Sequence, residues 1–283
     1  MKFASFTIDN TPSWGLVEGD DIADLGAVLR DRFPDLKSAI AADALTEAAA
    51  AAPGAPRHPL AAIGFLPVIP NPDKILCIGL NYETHRKETG RTEVENPTVF
   101  GRFANSQTGH RTNIVRPRVS TDLDFEGELA IIIGKPGRYI AREDAWQHIA
   151  GYACYNDGSV RDFQRHTHQF TPGKNFPATG AFGPWLVTSD EIDDLGPLKL
   201  QTRLNGQVVQ EATISQMIFD IPRQIEYCSS FTRLEPGDVI ATGTPGGVGS
   251  RRTPPLWMKP GDVVEVEIDR IGLLCNGIAD EQL

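Results

Sequence analysis

The chain has 283 residues, 40% of them hydrophobic and 23% charged, which is enough to bury a substantial core and ordinary for a globular enzyme. A formal charge of -10 argues against a general nucleic-acid binder, which needs a basic face to displace counterions. The start, MKFASFTIDN, has no apolar core of signal-peptide length, and no run approaches the roughly 20 apolar residues of a membrane span, so a cytoplasmic protein with no membrane partner is expected.

Residues 1–70 read as a small N-terminal α/β domain. The runs KFASFTI, WGLVEG and DIADL are strand-like, and a helical segment follows from about Leu29 to Ala50. AAAAAPGAPRHP and PVIPNPDK then have the composition of a connector, which places a boundary near Asn71. From 71 to 283 the pattern is strand-rich. KILCIGL (74–80), ELAIIIG (128–134), IAGYACYND (149–157), GPWLVT (183–188), LKLQTRLNGQVVQE (198–211), DVIATG (238–243) and DVVEVEIDRIGLLCN (262–276) all read as strands. Asn205-Gly206 signals a hairpin inside 198–211. Helical stretches fall at about 82–90, 142–148 and 214–231. Strands and helices do not alternate regularly, which favours an α+β fold around a β-rich core over a doubly wound sheet. The four cysteines lie far apart without a CxxC pair, so neither a zinc site nor a disulfide scaffold is indicated.

After the strand at 74–80, GLNYETHRKETG carries His85 and Glu88, three apart and therefore able to touch on a helix. A carboxylate that holds an imidazole in one tautomer makes it a better general base. Gly79 and Gly90 flank this segment and would let it move as a lid.

Asp122, Asp124, Glu126 and Glu128 occupy every second position on the run-in to Leu129–Ile133. On an extended strand such residues share a face, with Cα atoms about 6.6–6.8 Å apart. Like charges so packed need a cation or proton, and three carboxylates with water suit Mg²⁺, Mn²⁺ or Ca²⁺. The plain alternative is a charged edge strand facing water. Asp157, at the tip of IAGYACYND, supplies a third acid, and Glu126 and Glu128 lie nearest the apolar run. Those three are the expected metal ligands, although spacing alone leaves Asp124 open.

GSVRDFQRHTHQFTPGKNF follows, with Arg161 suited to a carboxylate and Lys174 to a developing oxyanion. His166 and His168 read as loop residues, since imidazoles are odd partners for a carboxylate site. ATGTPGGVG (241–249) lacks a Gly-Lys-Ser/Thr ending, so it reads as a turn presenting backbone N–H groups and the Thr244 hydroxyl to an anion.

In order along the chain, CIGLNYETHRKETG, LDFEGELAIIIGK, GYACYNDGSVRDFQ, Gly173-Lys174, GPW, LNGQVVQEATISQMIFD, LEPGDVIATGTPGGVG and MKPGDVVEVEIDRIGLLCN resemble the fumarylacetoacetate hydrolase family from about residue 72 to the end. The resemblance implies a mixed β-sandwich roll or barrel with a metal at its mouth, assembled as a homodimer. It puts the family's ligands on Glu126, Glu128 and Asp157, and its substrate and oxyanion groups on Arg161, Gln164, Lys174 and Thr244. The lid pair falls on His85 and Glu88, with Tyr82 and Arg102 added beside the substrate. Lys174-Asn175-Phe176-Pro177 departs from the Lys-Ser-Phe-Asp of many relatives, and Arg102 and His110 depart as well, which bears on substrate identity.

The implied activity is hydrolysis of a C–C bond in an acylpyruvate or related β-diketo acid, a small anionic 2-oxo acid. Mg²⁺ or Mn²⁺ would chelate the keto acid, and His85, held by Glu88, would deprotonate water. Lys174 would steady the oxyanion, and the bond would break to an enolate held by the metal. The same site would serve oxaloacetate decarboxylation or isomerisation of a hydroxydienedioate. A non-catalytic 2-oxo-acid-binding module would not need the lid base.

Overall fold

The protein is represented by a computed structural model that describes residues 1–282. The central strand Gly127–Ile133 is buried along its whole length. Its odd-numbered residues Leu129, Ile131 and Ile133 face one apolar core, while Ala130 and Ile132 face another. A strand covered on both faces needs the unbroken apolar run seen in the sequence.

Around it a large sheet runs in the order Arg57–Pro59, Asp21–Asp24, Thr11–Glu18, Lys2–Ile8, Gly180–Thr188, Ile149–Asn156, Gly127–Ile133, Val239–Ala241, Ile75–Gly79, Thr98–Arg102. The N-terminal strands thus extend the same sheet as the larger region, because Lys2–Ile8 pairs antiparallel with Gly180–Thr188. A second sheet, ordered Gln207–Thr213, Lys199–Leu204, Val263–Ile268, Gly272–Asp280, Ile114–Arg116, packs on the face of Leu129 and Ile131. The architecture is the β-rich α+β fold expected, but the sheets are open and do not close into a barrel.

The second sheet approaches closely enough to determine one residue between the acids. A Cβ on Gly127 would lie 2.0 Å from Thr202 Oγ1, so a side chain there would push the two sheets apart. The glycine of Glu126-Gly127-Glu128 is therefore a packing requirement.

Two local expectations change. The helical segment expected across 29–50 is three short helices, Leu25–Leu29, Leu36–Ala41 and Leu45–Ala50. Asp35 starts the second with a capping box shared with Ser38, and a capped start cannot lie inside one continuous helix. The stretch 262–276 is a hairpin rather than one strand, turning through Arg270 at φ 63. No helix among the described residues is long and apolar enough to cross a membrane.

Candidate metal centre

Glu126, Glu128 and Asp157 come together where Gly127–Ile133 and Ile149–Asn156 part. The pairing of Gly127 with Asn156 sets the register. Two further bonds fasten the exit of both strands: Asp157 N–H donates to Glu126 O at 2.8 Å, and Glu126 N–H to Asn156 Oδ1 at 3.0 Å. One carboxylate oxygen from each acid lies within 4.8 Å of the others, and all three residues are buried.

The even-numbered acid ladder does not survive as one strand. Leu123–Asp124 pairs with Ser159–Val160 in a separate ribbon, and the chain bends at Phe125, whose ring is buried, before the central strand begins. The bend turns Asp124 away from the metal ligands. Its carboxylate accepts from Phe125 N, Gly249 N, Ser250 N and Arg161 Nε at 2.7–2.9 Å. Four donors leave no lone pair for an ion, and Asp124 stands apart from the three clustered acids.

Positive charge is threaded between the ligands. Arg161 donates to Glu126 at 2.6 Å and to Gln164 Oε1 at 2.8 Å. Lys174 Nζ lies 2.6 Å from both Glu126 Oε2 and Asp157 Oδ2. Gly173 lets the Lys174 turn seat against the Arg161 helix, because a Cβ there would meet Gln164 N at 2.4 Å. Burial opposes the charge of Glu126, yet Arg161 and then Lys174 hold its carboxyl well below the usual range. Burial likewise works against the Lys174 charge, but Asp157 and Glu126 outweigh it and raise the ammonium's pKa.

Glu128 behaves in the opposite way. Burial pushes its pKa well up, and the charges of Asp157 and Glu126 push it further. Its carboxylate accepts one hydrogen bond, from Gly243 N at 2.8 Å, and has no ion-pair partner among the described residues. A carboxylate this buried requires a proton or a cation beside it. Three oxygen donors, one of them lacking a counter-charge, fit a hard divalent ion such as Mg²⁺ or Mn²⁺.

His85 sits on the helix Glu83–Thr89, which Gly90 caps at φ 70. Its Nδ1 lies 2.7 Å from Glu88 Oε1, and His85 lines the same cavity of about 680 Å³ as the three acids. The helix is fastened to the loop after Val239–Ala241: Gly246 N donates to Thr84 Oγ1 at 3.0 Å and Gly247 N to Glu88 Oε2 at 2.9 Å. The backbone N–H groups of that loop do face anions, as the sequence suggested, but those anions are Glu128, Glu88 and Asp124. Thr244 lines the cavity, while its hydroxyl donates to Gly127 O and accepts from Gln210 Nε2.

Two expected substrate contacts lie elsewhere. The Arg102 side chain is fully buried behind Asp157 and bonds Asp157 Oδ1 at 2.5 Å, Gly158 O at 2.9 Å and Thr179 Oγ1 at 2.9 Å. It is absent from the cavity lining because the adjoining acid draws it inward. Tyr82 is also buried outside the lining, and its hydroxyl has no hydrogen-bond partner among the described residues. Sequence reasoning missed Asn81, whose side chain bonds Thr242 O, Phe219 O and Phe219 N and anchors the start of the lid. Leu80 beside it adopts φ 60, rare for a branched side chain, and such backbone needs an anchor that only the fold reveals. All four cysteines are free, and Cys77, Cys154 and Cys228 are buried.

Known proteins share the sequence pattern and the fold. Residues 74–279 match the family model for the fumarylacetoacetate hydrolase C-terminal domain. The chain is 40% identical over 225 residues to oxaloacetate tautomerase FAHD2A, a mitochondrial protein of Bos taurus, covering 79% of this chain and 72% of that one. Among solved structures, a fumarylacetoacetate hydrolase from Exiguobacterium antarcticum superposes with a TM-score of 0.84 at 32% identity, covering 99% of this chain and 100% of the other. Maleylpyruvate hydrolase from Sphingobium sp. SYK-6, in complex with manganese(II) and pyruvate, gives 0.83 at 32% identity over 100% of both chains. The chain belongs to the fumarylacetoacetate hydrolase family.

Proposed function

We propose that this family member is a divalent-cation-dependent enzyme that hydrolyses a C–C bond in an acylpyruvate or related β-diketo acid. The observation that carries the reading is the His85–Glu88 pair at 2.7 Å, held at a cavity shared with three buried carboxylates. Glu126, Glu128 and Asp157 would hold the ion, which when bound supplies positive charge to polarise the keto acid and take up charge from the breaking bond.

The chain's own residues supply the rest. Glu88 accepts a hydrogen bond from Nδ1–H, which stays on the ring, and leaves Nε2 as the basic nitrogen. That nitrogen takes a proton from water, whose oxygen bonds to the distal carbonyl carbon. Lys174 stays protonated between its two carboxylates. Its longest bond, 3.4 Å to Asp157 O, is the one readily exchanged for the new oxyanion. When the C–C bond breaks, its electron pair goes to the pyruvate fragment, and the proton on His85 is returned to that carbon. Gln164 offers its amide N–H groups to the substrate carboxylate, because its Oε1 is taken by Arg161.

The identity to a named oxaloacetate tautomerase favours a second reading. There the same imidazole would move a proton between carbon and oxygen, with no water attack. Magnesium-loaded protein should be assayed with an acylpyruvate, following pyruvate release, and with oxaloacetate, following the loss of enol absorbance. Pyruvate released in step with substrate loss, and abolished in His85→Ala, is the expected result. Enol loss without any hydrolysis would replace the proposal by the tautomerase reading.

A further inference from the structure

The inner end of the cavity is lined by Glu126, Glu128 and Asp157, and no other acid lines it. Further out the lining includes Arg91, Arg165 and Arg251. In a chain of net charge -10 such a mouth is a local reversal of sign. The arginines whose side chains make no hydrogen bond or ion pair among the described residues are Arg91, Arg118, Arg165 and Arg251, and three of these four line this cavity. Like charges gathered without a direct ion pair raise one another's energy, and an anion relieves them. Burial, then the charges of Arg161 and Arg251, lowers the pKa of the Arg165 guanidinium against the opposing pull of Asp124 and Asp122, which puts Arg165 within the field of Arg251.

Two of these arginines are also preorganised. Arg165 ends the short helix that begins at Arg161, and Arg251 ends the turn Gly249–Arg251. Both segments are pinned to Asp124, through Arg161 Nε at 2.8 Å and through Gly249 N and Ser250 N at 2.7 and 2.9 Å. One buried carboxylate thus fixes the two backbones that present Arg165 and Arg251. Arg161 itself is not free, since its guanidinium is shared among Asp124, Glu126 and Gln164.

We infer that Arg165 and Arg251 form a second carboxylate site at the cavity mouth, which takes the distal end of the substrate and selects 2-oxo diacids longer than four carbons. The inference rests on the functional reading above, which supplies the inner anchor for the 2-oxo acid end. Arg165 stands one helical turn beyond Arg161, about 5.4 Å along the axis. A diacid whose 2-oxo acid end is held by an ion at the inner carboxylates would have to reach past Arg161 by that extra turn, which favours chains longer than four carbons. A guanidinium pair suits a carboxylate because each presents a planar fork of donors.

The test uses two unreactive six-carbon ligands that differ only at the far end: 2-oxoadipate, which ends in a carboxylate, and 2-oxohexanoate, which ends in a methyl group. Binding to the manganese-loaded protein is measured by calorimetry, with oxalate as a probe of the inner site alone. The wild type should bind 2-oxoadipate about 10–100-fold more tightly than 2-oxohexanoate, as expected for a charge-assisted pair. In the Arg165→Gln/Arg251→Gln variant that advantage should fall below about threefold while oxalate affinity holds, and Arg165→Lys/Arg251→Lys should keep part of it. Equal binding of the two ligands by the wild type, or an advantage that survives the glutamine variant, overturns the inference while leaving the inner site standing. Failure of oxalate to bind the wild type overturns the functional reading and this inference together.

Discussion

Replacing Arg102 by methionine distinguishes a side chain that touches substrate from one that holds a metal ligand in place. The guanidinium is fully buried and bonds Asp157 Oδ1, Gly158 O, Thr179 Oγ1 and, at 3.2 Å, Ser106 Oγ. Methionine fills much of the volume but leaves the Asp157 carboxylate without its closest counter-charge. Removing one partner of a buried pair costs about 3–5 kcal/mol. At roughly 2 °C per kcal/mol for a chain of this size, the melting temperature should fall by about 6–10 °C. The freed carboxylate also loses its orientation, and the loss of such a supporting contact typically weakens metal binding by about 10–100-fold. Thermal unfolding and manganese titration read the two effects separately. A substrate-binding arginine would behave differently, raising KM while melting temperature and metal affinity stayed put. That pattern would refute the placement of Arg102 behind Asp157.

Saturating manganese at about 100 times Kd should stabilise the protein by about 2.7 kcal/mol, or about 5 °C, and a chelator should reverse this and stop turnover; turnover that survives chelation counts against the metal centre. Glu128→Gln should abolish that rise yet melt, without metal, no lower than the wild type, because it removes a buried carboxylate with a single hydrogen bond; calorimetry with and without manganese checks both parts. Glu88→Gln should lower kcat for C–C hydrolysis by about 100-fold with KM nearly unchanged, measured by steady-state pyruvate release, since His85 keeps its place but loses its carboxylate. Gly158→Ala would put a Cβ 1.9 Å from the backbone oxygen of Thr179, so the Asp157 backbone must shift; melting a few degrees lower and manganese binding at least about tenfold weaker are expected, and unchanged titrations would refute it.

Sequence exposed the parts of this molecule that local physics determines. The apolar run Leu129–Ile133 is legible because a strand buried on both faces has no alternative composition. Asn205-Gly206 is legible because both residues take positive φ, at 52 and 77, as a tight hairpin requires. The hairpin at 262–276 carries no such pair, and its turn at Asp269-Arg270 interrupts a run that otherwise alternates like a single strand. The acid ladder pointed to two of the three clustered acids for an incomplete reason. Period-two spacing assumes a flat strand, and the strand bends at Phe125 because Asp124 and Gly127 pair with different neighbours. Arg102 was misplaced because its partners lie 55–77 residues away at Asp157, Gly158 and Thr179, and only the folded register brings them together.

The loop from Gly243 to Ser250 shows why the site needs both its glycines and its acids. Its backbone N–H groups bond Glu128, Glu88 and Asp124, three carboxylates with three different tasks. Through Glu128 the loop touches the three-acid cluster, through Glu88 it reaches His85, and through Asp124 the helix that carries Arg161 and Arg165. At Gly249 a Cβ would stand 1.9 Å from Leu256 O and 2.6 Å from Asp124 Oδ1, so a side chain there would break the last of these links. Backbone donors carry no net charge, so the loop can fix three anions without neutralising them. A lysine or arginine in its place would hold Glu128 equally well and would repel any cation brought to the three-acid cluster. Glu128 and Glu88 are met by main-chain donors, whereas Arg161 is shared between Asp124 and Glu126 and Lys174 between Glu126 and Asp157, which leaves Glu128 as the acid with the most to gain from an arriving ion.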